Sequence, residues 1–115
     1  MSSNDKRKEL KEQYKGQKVL GGVYGIRNTV NGKLLFGATT DLQGRKNRFD
    51  FAQSTGTCID LKLQKDWDRQ GGEGFAFEVL EDLEKGEAQT DAEFKADIEL
   101  LKEIWLEKLA GQDLY

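Results

Sequence analysis

Two apolar, β-rich runs stand on either side of a single Asn-Gly pair, and this spacing constrains the fold more than any other feature of the chain. Val19–Arg27 carries Val23, Tyr24 and Ile26, and Lys33–Ala38 carries Leu34, Leu35 and Phe36. Branched and aromatic side chains of this kind fit a pleated, half-buried surface. Asn31-Gly32 lies between the runs, and both residue types tolerate the positive φ of a tight reversal. The pattern predicts a hairpin over residues 19–38. A lone hairpin is marginal in water, so other elements must cover it. Phe75, Phe77 and Val79 alternate with Ala76 and Glu78, which predicts a third strand over Gly74–Leu83.

Helical signals fill the intervals. Leu10 and Tyr14 share one face of a short amphipathic segment over residues 4–15. Asp41 suits the start of a helix reaching about Gln53. Gly44 inside it costs ~1 kcal/mol relative to alanine, so propensity alone does not account for this helix. Ile59, Leu63 and Trp67 follow at four-residue spacing, and Gly71-Gly72 closes that helix. Thr90 with Glu93 forms a capping box before a stripe of Phe94, Ile98, Leu101, Trp105 and Leu109, ending near Ala110. Trp67 and Trp105 both fall on apolar stripes and read as core. The fold class is α+β: a small three-stranded antiparallel sheet flanked by helices, in the order α-β-β-α-α-β-α. The 115 residues suit one domain, with its core over 19–110 and an N-terminal helix over 4–15.

Absent residue types narrow the chemistry. The chain has no histidine and one cysteine, Cys58. Ser-His and Cys-His pairs, histidine bases, structural zinc and internal disulfides are therefore excluded. Cys58 reads as structural. A single cysteine, no apolar leader and no run of the roughly 20 apolar residues a membrane span needs lead to the expectation of a cytoplasmic protein without a membrane partner. Charge is uneven. Residues 1–72 hold 14 Lys/Arg against 8 Asp/Glu, residues 73–115 hold 4 against 13, and the net charge is −3. Such asymmetry fits either a basic binding face or two solvated surfaces that neutralise one another.

Proton transfer or metal binding must then rest on Tyr, Lys, Arg, Asp and Glu. Tyr24 lies on the first strand, and the helix leaving the second brings Arg45 back toward it. A guanidinium grips phosphate oxygens in a fork, and a phenol can orient water. Lys46 and Arg48 continue the basic run, with Lys33 at the hairpin and Lys62 on the next helix. Together they are candidates for a substrate-binding phosphate patch. Glu99 and Glu103 share a face of the last helix and could serve Mg²⁺, which needs few protein ligands. Each element also has an ordinary reading: strand tyrosines pack, basic runs are solvated, and acidic helices are commonly just soluble.

The order of these pieces resembles the GIY-YIG nuclease family. Gly22-Val23-Tyr24 stands at the first motif, Arg27 to Lys33 looks like the family hairpin, and Leu35-Phe36-Gly37 occupies the second motif. Ala38 to Arg45 is similar to the segment leading to the family arginine. The likeness continues through Lys62-Leu63-Gln64, the strand Phe75–Glu81 and Trp105, and so spans about residues 19–109. It implies a metal-dependent endonuclease using Mg²⁺ or Mn²⁺ on nucleic acid, DNA foremost, with Tyr24 and Arg45 as catalytic residues and Glu103 or Glu99 as metal ligand. The pattern is divergent: Leu35 replaces the second tyrosine, Phe49 stands four residues after the arginine, and Lys102 falls in the glutamate slot. The expected activity is accordingly weakened or altered. The alternative is a non-cleaving module of the same fold that binds nucleic acid, a protein partner or a second copy of itself.

Overall fold

A computed structural model describes residues 19–115. The helix expected over residues 4–15 lies outside the described residues. Strands β1 (Leu20–Asn28), β2 (Leu34–Thr39) and β3 (Phe75–Glu84) form an antiparallel sheet in the order β2-β1-β3. Helix α1 (Leu42–Thr55) follows β2, α2 (Gln64–Gln70) precedes β3, and α3 (Asp91–Lys108) follows it. All three strands sit within a residue or two of their predicted bounds. The sheet is of the predicted kind, and the order of the described elements matches the expected one.

The hairpin turns differently from expectation. Among the described residues no non-glycine has positive φ, so Asn31 does not take the left-handed conformation of a two-residue turn. The connection spans Thr29–Lys33, closed by Asn28 N–H to the Lys33 carbonyl at 2.8 Å and Gly32 N–H to the Asn28 carbonyl at 2.8 Å. The Asn28 side chain folds it, its Oδ1 accepting from the N–H groups of Val30 at 2.9 Å and Asn31 at 3.3 Å. That local bond offers the backbone an alternative to the tight turn.

Alternation along the central strand sorts the helices between the two sheet faces. Tyr24 and Ile26 point to one side, where Leu35, Phe75 and Phe77 join them beneath Phe49 and Ala52 of α1, with Leu63 and Trp67. Gly21, Val23 and Gly25 point to the other, which α3 covers. A Cβ added at Gly21 would lie 2.9 Å from both Ile98 Cδ1 and Phe94 Cζ. The lack of a side chain there lets α3 approach the strand closely. A β-bulge between Val23 and Tyr24 moves the β3 register from Glu81 to Val79, leaving Leu80 unmatched.

Each helix shows why it begins where it does. Asp41 caps α1, its carboxylate accepting from Gly44 N–H at 3.0 Å. A Cβ on Gly44 would come within 2.2 Å of that carboxylate, so the glycine that weakens the helix makes room for its cap. The Thr90–Glu93 capping box of α3 forms as predicted. The middle helix is shorter than expected. It starts with a 3₁₀ turn over Leu61–Leu63 capped by Asp60, so Leu63 and Trp67 are buried while Ile59 lies outside and exposed. On α3, Phe94 and Ile98 are buried, as is Leu109 just past its end, but Trp105 is only half-buried, its Nε1 donating to Glu81 Oε1 at 2.8 Å.

Below α2 lies a polar knot that ties the C-terminus to the hairpin. Fully buried Asn28 donates through Nδ2 to Tyr115 Oη at 2.9 Å, Asp66 Oδ2 at 3.3 Å and Gln70 Oε1 at 3.3 Å, while Gln70 Nε2 donates back at 2.9 Å. The Tyr115 hydroxyl donates to Asp66 at 2.6 Å. Disrupting this network is costly, because removing one member strands several desolvated partners. Asn28→Ala is therefore expected to destabilise the fold by about 1–3 kcal/mol, read as a lower urea midpoint at unchanged m-value.

The same knot predicts a pH signature. The Tyr115 hydrogen bond, with help from Arg69 and Asn28, holds the Asp66 carboxyl below its ordinary value of 3.8, and burial plus Asp66 raise the Tyr115 phenol above 10.0. A depressed acid stabilises the fold above its unfolded pKa and loses that contribution as pH falls through the folded one. A raised phenol stabilises it below its unfolded pKa and loses that as pH rises through the folded one. The stability gap between wild type and Tyr115→Phe should be widest between pH 3.8 and 10.0 and should narrow on both sides. Urea titrations across pH would show it, and a gap flat with pH would contradict it.

Candidate functional site

Strand register and helix phase bring the two predicted catalytic side chains together. Tyr24 pairs across the ladder with Gly37 of β2, and its ring stacks on Phe77 of β3 with centroids 5.3 Å apart and planes 12° from parallel. A Cβ at position 37 would lie 2.7 Å from both Cζ and Oη of Tyr24. The glycine of the second motif thus lets the phenol lie across β2 rather than stand away from it. Arg45, in the first turn of α1, places its guanidinium carbon 6.0 Å from the centre of the Tyr24 ring. Arg48 follows three residues later on the same helix.

These groups border one cavity of about 60 Å³, lined by Tyr24, Ile26, Leu35, Arg45, Arg48, Ile59, Asp60 and Phe77. A bulk water occupies about 30 Å³, so the space suits two waters or one small oxyanion. Leu35 forms part of its buried wall, as expected of a residue with no donor or acceptor, but does not plug it. Phe49 lies deeper, 5.9 Å from Phe77 and 6.4 Å from Trp67 between ring centroids. Both arginines are exposed, and among the described residues neither forms an ion pair. That distinguishes them from Arg27, held by Glu78 at 2.8 Å, from Lys46, held by Asp50 at 2.9 Å, and from Arg69, paired with Asp66.

The other predicted residues do not gather here. Lys46 turns toward a separate groove beside Asp41, Asp82 and Phe94. The Lys33 ammonium sits 5.1 Å above the Tyr115 ring, at the polar knot. Lys62 is exposed on the 3₁₀ turn, with its N–H bonded to Asp60 Oδ1 at 2.8 Å. Glu99 and Glu103 are exposed on α3, which covers the opposite face of the sheet from Tyr24. Half-buried Lys102 stands one residue from Glu103.

Asp60 is the site residue that sequence reading misses. Its only signal is the Asp-x-Lys cap of the 3₁₀ turn, and the fold alone carries that turn to the cavity mouth. The donor set is that of an anion site. One carboxylate beside two guanidiniums is a poor cradle for a divalent cation, which needs converging oxygen ligands. Among the described residues no three Asp, Glu or Cys side chains cluster to hold a metal. The residues present at the cavity therefore do not fit the metal that the family likeness implies. Arg45 and Arg48 can instead grip oxyanion oxygens, with Tyr24 offering one hydroxyl that donates or accepts.

No protein-family model matches the sequence, and no curated protein does. Solved structures are similar. The catalytic domain of the intron endonuclease I-TevI, in a point-mutant form, is 25% identical with a TM-score of 0.59, over 84% of this chain and 91% of that one. The catalytic domain of the homing endonuclease I-TevI is 25% identical with a TM-score of 0.57, over 83% of this chain and 95% of that one. With its three-stranded antiparallel sheet flanked by helices, the chain carries the GIY-YIG nuclease fold.

Proposed function

We propose that this domain acts on nucleic acid through the Tyr24–Arg45–Arg48 cavity, as a nuclease-like module that grips a backbone phosphate there. The single observation that carries the reading is the pair of arginines without ionic partners among the described residues, beside the Tyr24 phenol at the mouth of a cavity sized for an oxyanion. An unpaired guanidinium keeps its full fork for a phosphodiester, whereas a paired one must first give up its carboxylate. The similarity to homing-endonuclease catalytic domains supports the same class of substrate.

In this reading Arg45 and Arg48 hold non-bridging oxygens and stabilise the charge that develops on them during cleavage. Tyr24 positions an attacking water by one hydrogen bond. Leu35 supplies no second hydroxyl, so the water is held from one side only and cleavage is slow. Mg²⁺ and Mn²⁺ are supplied in the assay because the nuclease-domain likeness suggests metal-dependent catalysis in general, while the donors at this cavity form no metal site of their own among the described residues. A second reading, a module that binds without cutting, is favoured by one observation: Glu99 and Glu103 project from the helix on the far side of the sheet from Tyr24.

Cleavage of single- and double-stranded DNA and RNA, with Mg²⁺, Mn²⁺ or EDTA, tests both. Arg45→Ala is expected to lower the rate by ~10²–10³ and to leave the urea midpoint unchanged. The same variant should flatten the salt dependence of binding by about one phosphate contact. Cutting that Arg45→Ala leaves untouched would remove the cavity from the chemistry. Salt-sensitive binding that Arg45→Ala weakens, with no cutting under any ion, would establish the second reading. Gly37→Ala should also impair activity, because its Cβ would drive the Tyr24 ring from its place while both arginines remain.

A further inference from the structure

Beside the phosphate cavity lies a second, apolar groove of about 620 Å³, lined by Asn47, Arg48, Phe51, Ala52, Thr55, Thr57 and Ile59. Arg48 and Ile59 belong to both, so the two spaces are neighbours across one arginine. Phe51 is 68% exposed and Ile59 is 40% exposed. Phe51 lies three residues beyond Arg48 on α1, about one helical turn along. A large aromatic left bare on a helix otherwise rich in polar residues calls for an explanation, since the inward side of α1 already has Phe49 and Ala52.

We infer that this groove receives an unpaired nucleobase of the strand whose phosphate sits at Arg45 and Arg48, with the base stacked on Phe51 and walled by Ile59. The inference rests on the phosphate-binding reading and extends it to the kind of strand bound. Continuity through Arg48 is the first support, because a base and its own phosphate must occupy adjoining sites on a protein. Charge is the second. The groove is bordered by a cation that no carboxylate neutralises among the described residues, which suits a polyanion that also carries flat apolar groups. The third is chemical. The rim offers the Asn47 amide nitrogen, its oxygen already accepting from Gln43 Nε2 at 2.9 Å, and the hydroxyls of Thr55 and Thr57, which can meet a base edge without demanding one base over another. Thr55 Oγ1 donates to the Phe51 carbonyl at 2.9 Å, leaving its lone pairs to accept. Bases within a duplex are stacked on each other, so the groove selects single strands, loops or an extruded base.

The test is fluorescence anisotropy with the full chain and three labelled probes: an adenine oligodeoxynucleotide, the abasic strand of equal length, and a hairpin-free duplex. Wild type should bind the adenine strand more tightly than the abasic one, and Phe51→Ala should remove that preference, a loss of about 5- to 150-fold on the base-bearing strand alone. Phe51→Trp should restore it, and its added indole should quench on binding. Because Phe51 is exposed, its replacement is not expected to disturb folding, and the urea midpoint checks this. Equal affinity of Phe51→Ala and wild type for the adenine strand, with Arg45→Ala still weakening all probes, would overturn the base site and leave the phosphate site standing. Indifference of every probe to Arg45→Ala would sink the phosphate site first. Concentration-dependent self-association abolished by Phe51→Ala, with no base preference, would reassign the groove to a second copy of the chain.

Discussion

The central strand has a partner on each side, and the period-two alternation of its side chains decides everything that can meet. Tyr24 and Ile26 face α1 and α2, whereas Gly21, Val23 and Gly25 face α3. Outside a bulge, a strand sends neighbouring residues to opposite faces, so a helix packed on one face meets the chemistry of that side. α1 shares a face with Tyr24, and its first turn therefore delivers Arg45 to the phenol. α3 lies on the other, and its acidic residues stay apart from that phenol whatever their number.

Small residues carry this arrangement as much as large ones. Gly37 leaves room for the Tyr24 ring, Gly21 lets α3 seat against the strand, and Gly44 clears the Asp41 cap. Each would be a neutral or unfavourable choice judged by local propensity. Their use is explained only by an atom from another part of the chain that occupies the place of a Cβ. The result is a fold whose stability rests on an apolar core and a polar knot, while the arginines at the cavity mouth take no part in either. Groups kept out of the stabilising contacts remain free for a ligand.

The likeness to nuclease domains and the departures from their motifs have one physical origin. The scaffold needs the hairpin, the glycine under the tyrosine and the helix after β2, and all three persist. The family likeness leads one to expect a second tyrosine and a glutamate as well. Leu35 fills the first position with hydrocarbon, and Lys102 stands in the motif slot of the second. The donor set that remains, two guanidiniums and a phenol beside the single carboxylate of Asp60, suits an oxyanion better than a metal ion, and the apolar groove with exposed Phe51 adjoins it through Arg48.

Much of this is legible in residue order. Strand bounds follow from alternation, the α3 cap from Thr90 and Glu93, the α1 cap from Asp41, and the meeting of Tyr24 with Arg45 from the order of hairpin and helix. The strand and cap signals are local, set by neighbours within a few residues, whereas the Tyr24–Arg45 meeting follows from the order of whole elements. The hairpin turn departs from its local signal because the Asn28 side chain competes with Asn31-Gly32 for the same backbone, and the bonds that anchor Asn28 come from Gln70 and Tyr115. Asp60 at the cavity, Trp105 half-exposed, and α3 on the far side from the phenol likewise depend on packing. Sequence by itself determined which elements form and which groups can do chemistry, because those depend on short-range geometry. Beyond the Tyr24–Arg45 pair, tertiary structure alone decided which of those groups share a face of the sheet, because that is settled by contacts between residues far apart in the chain.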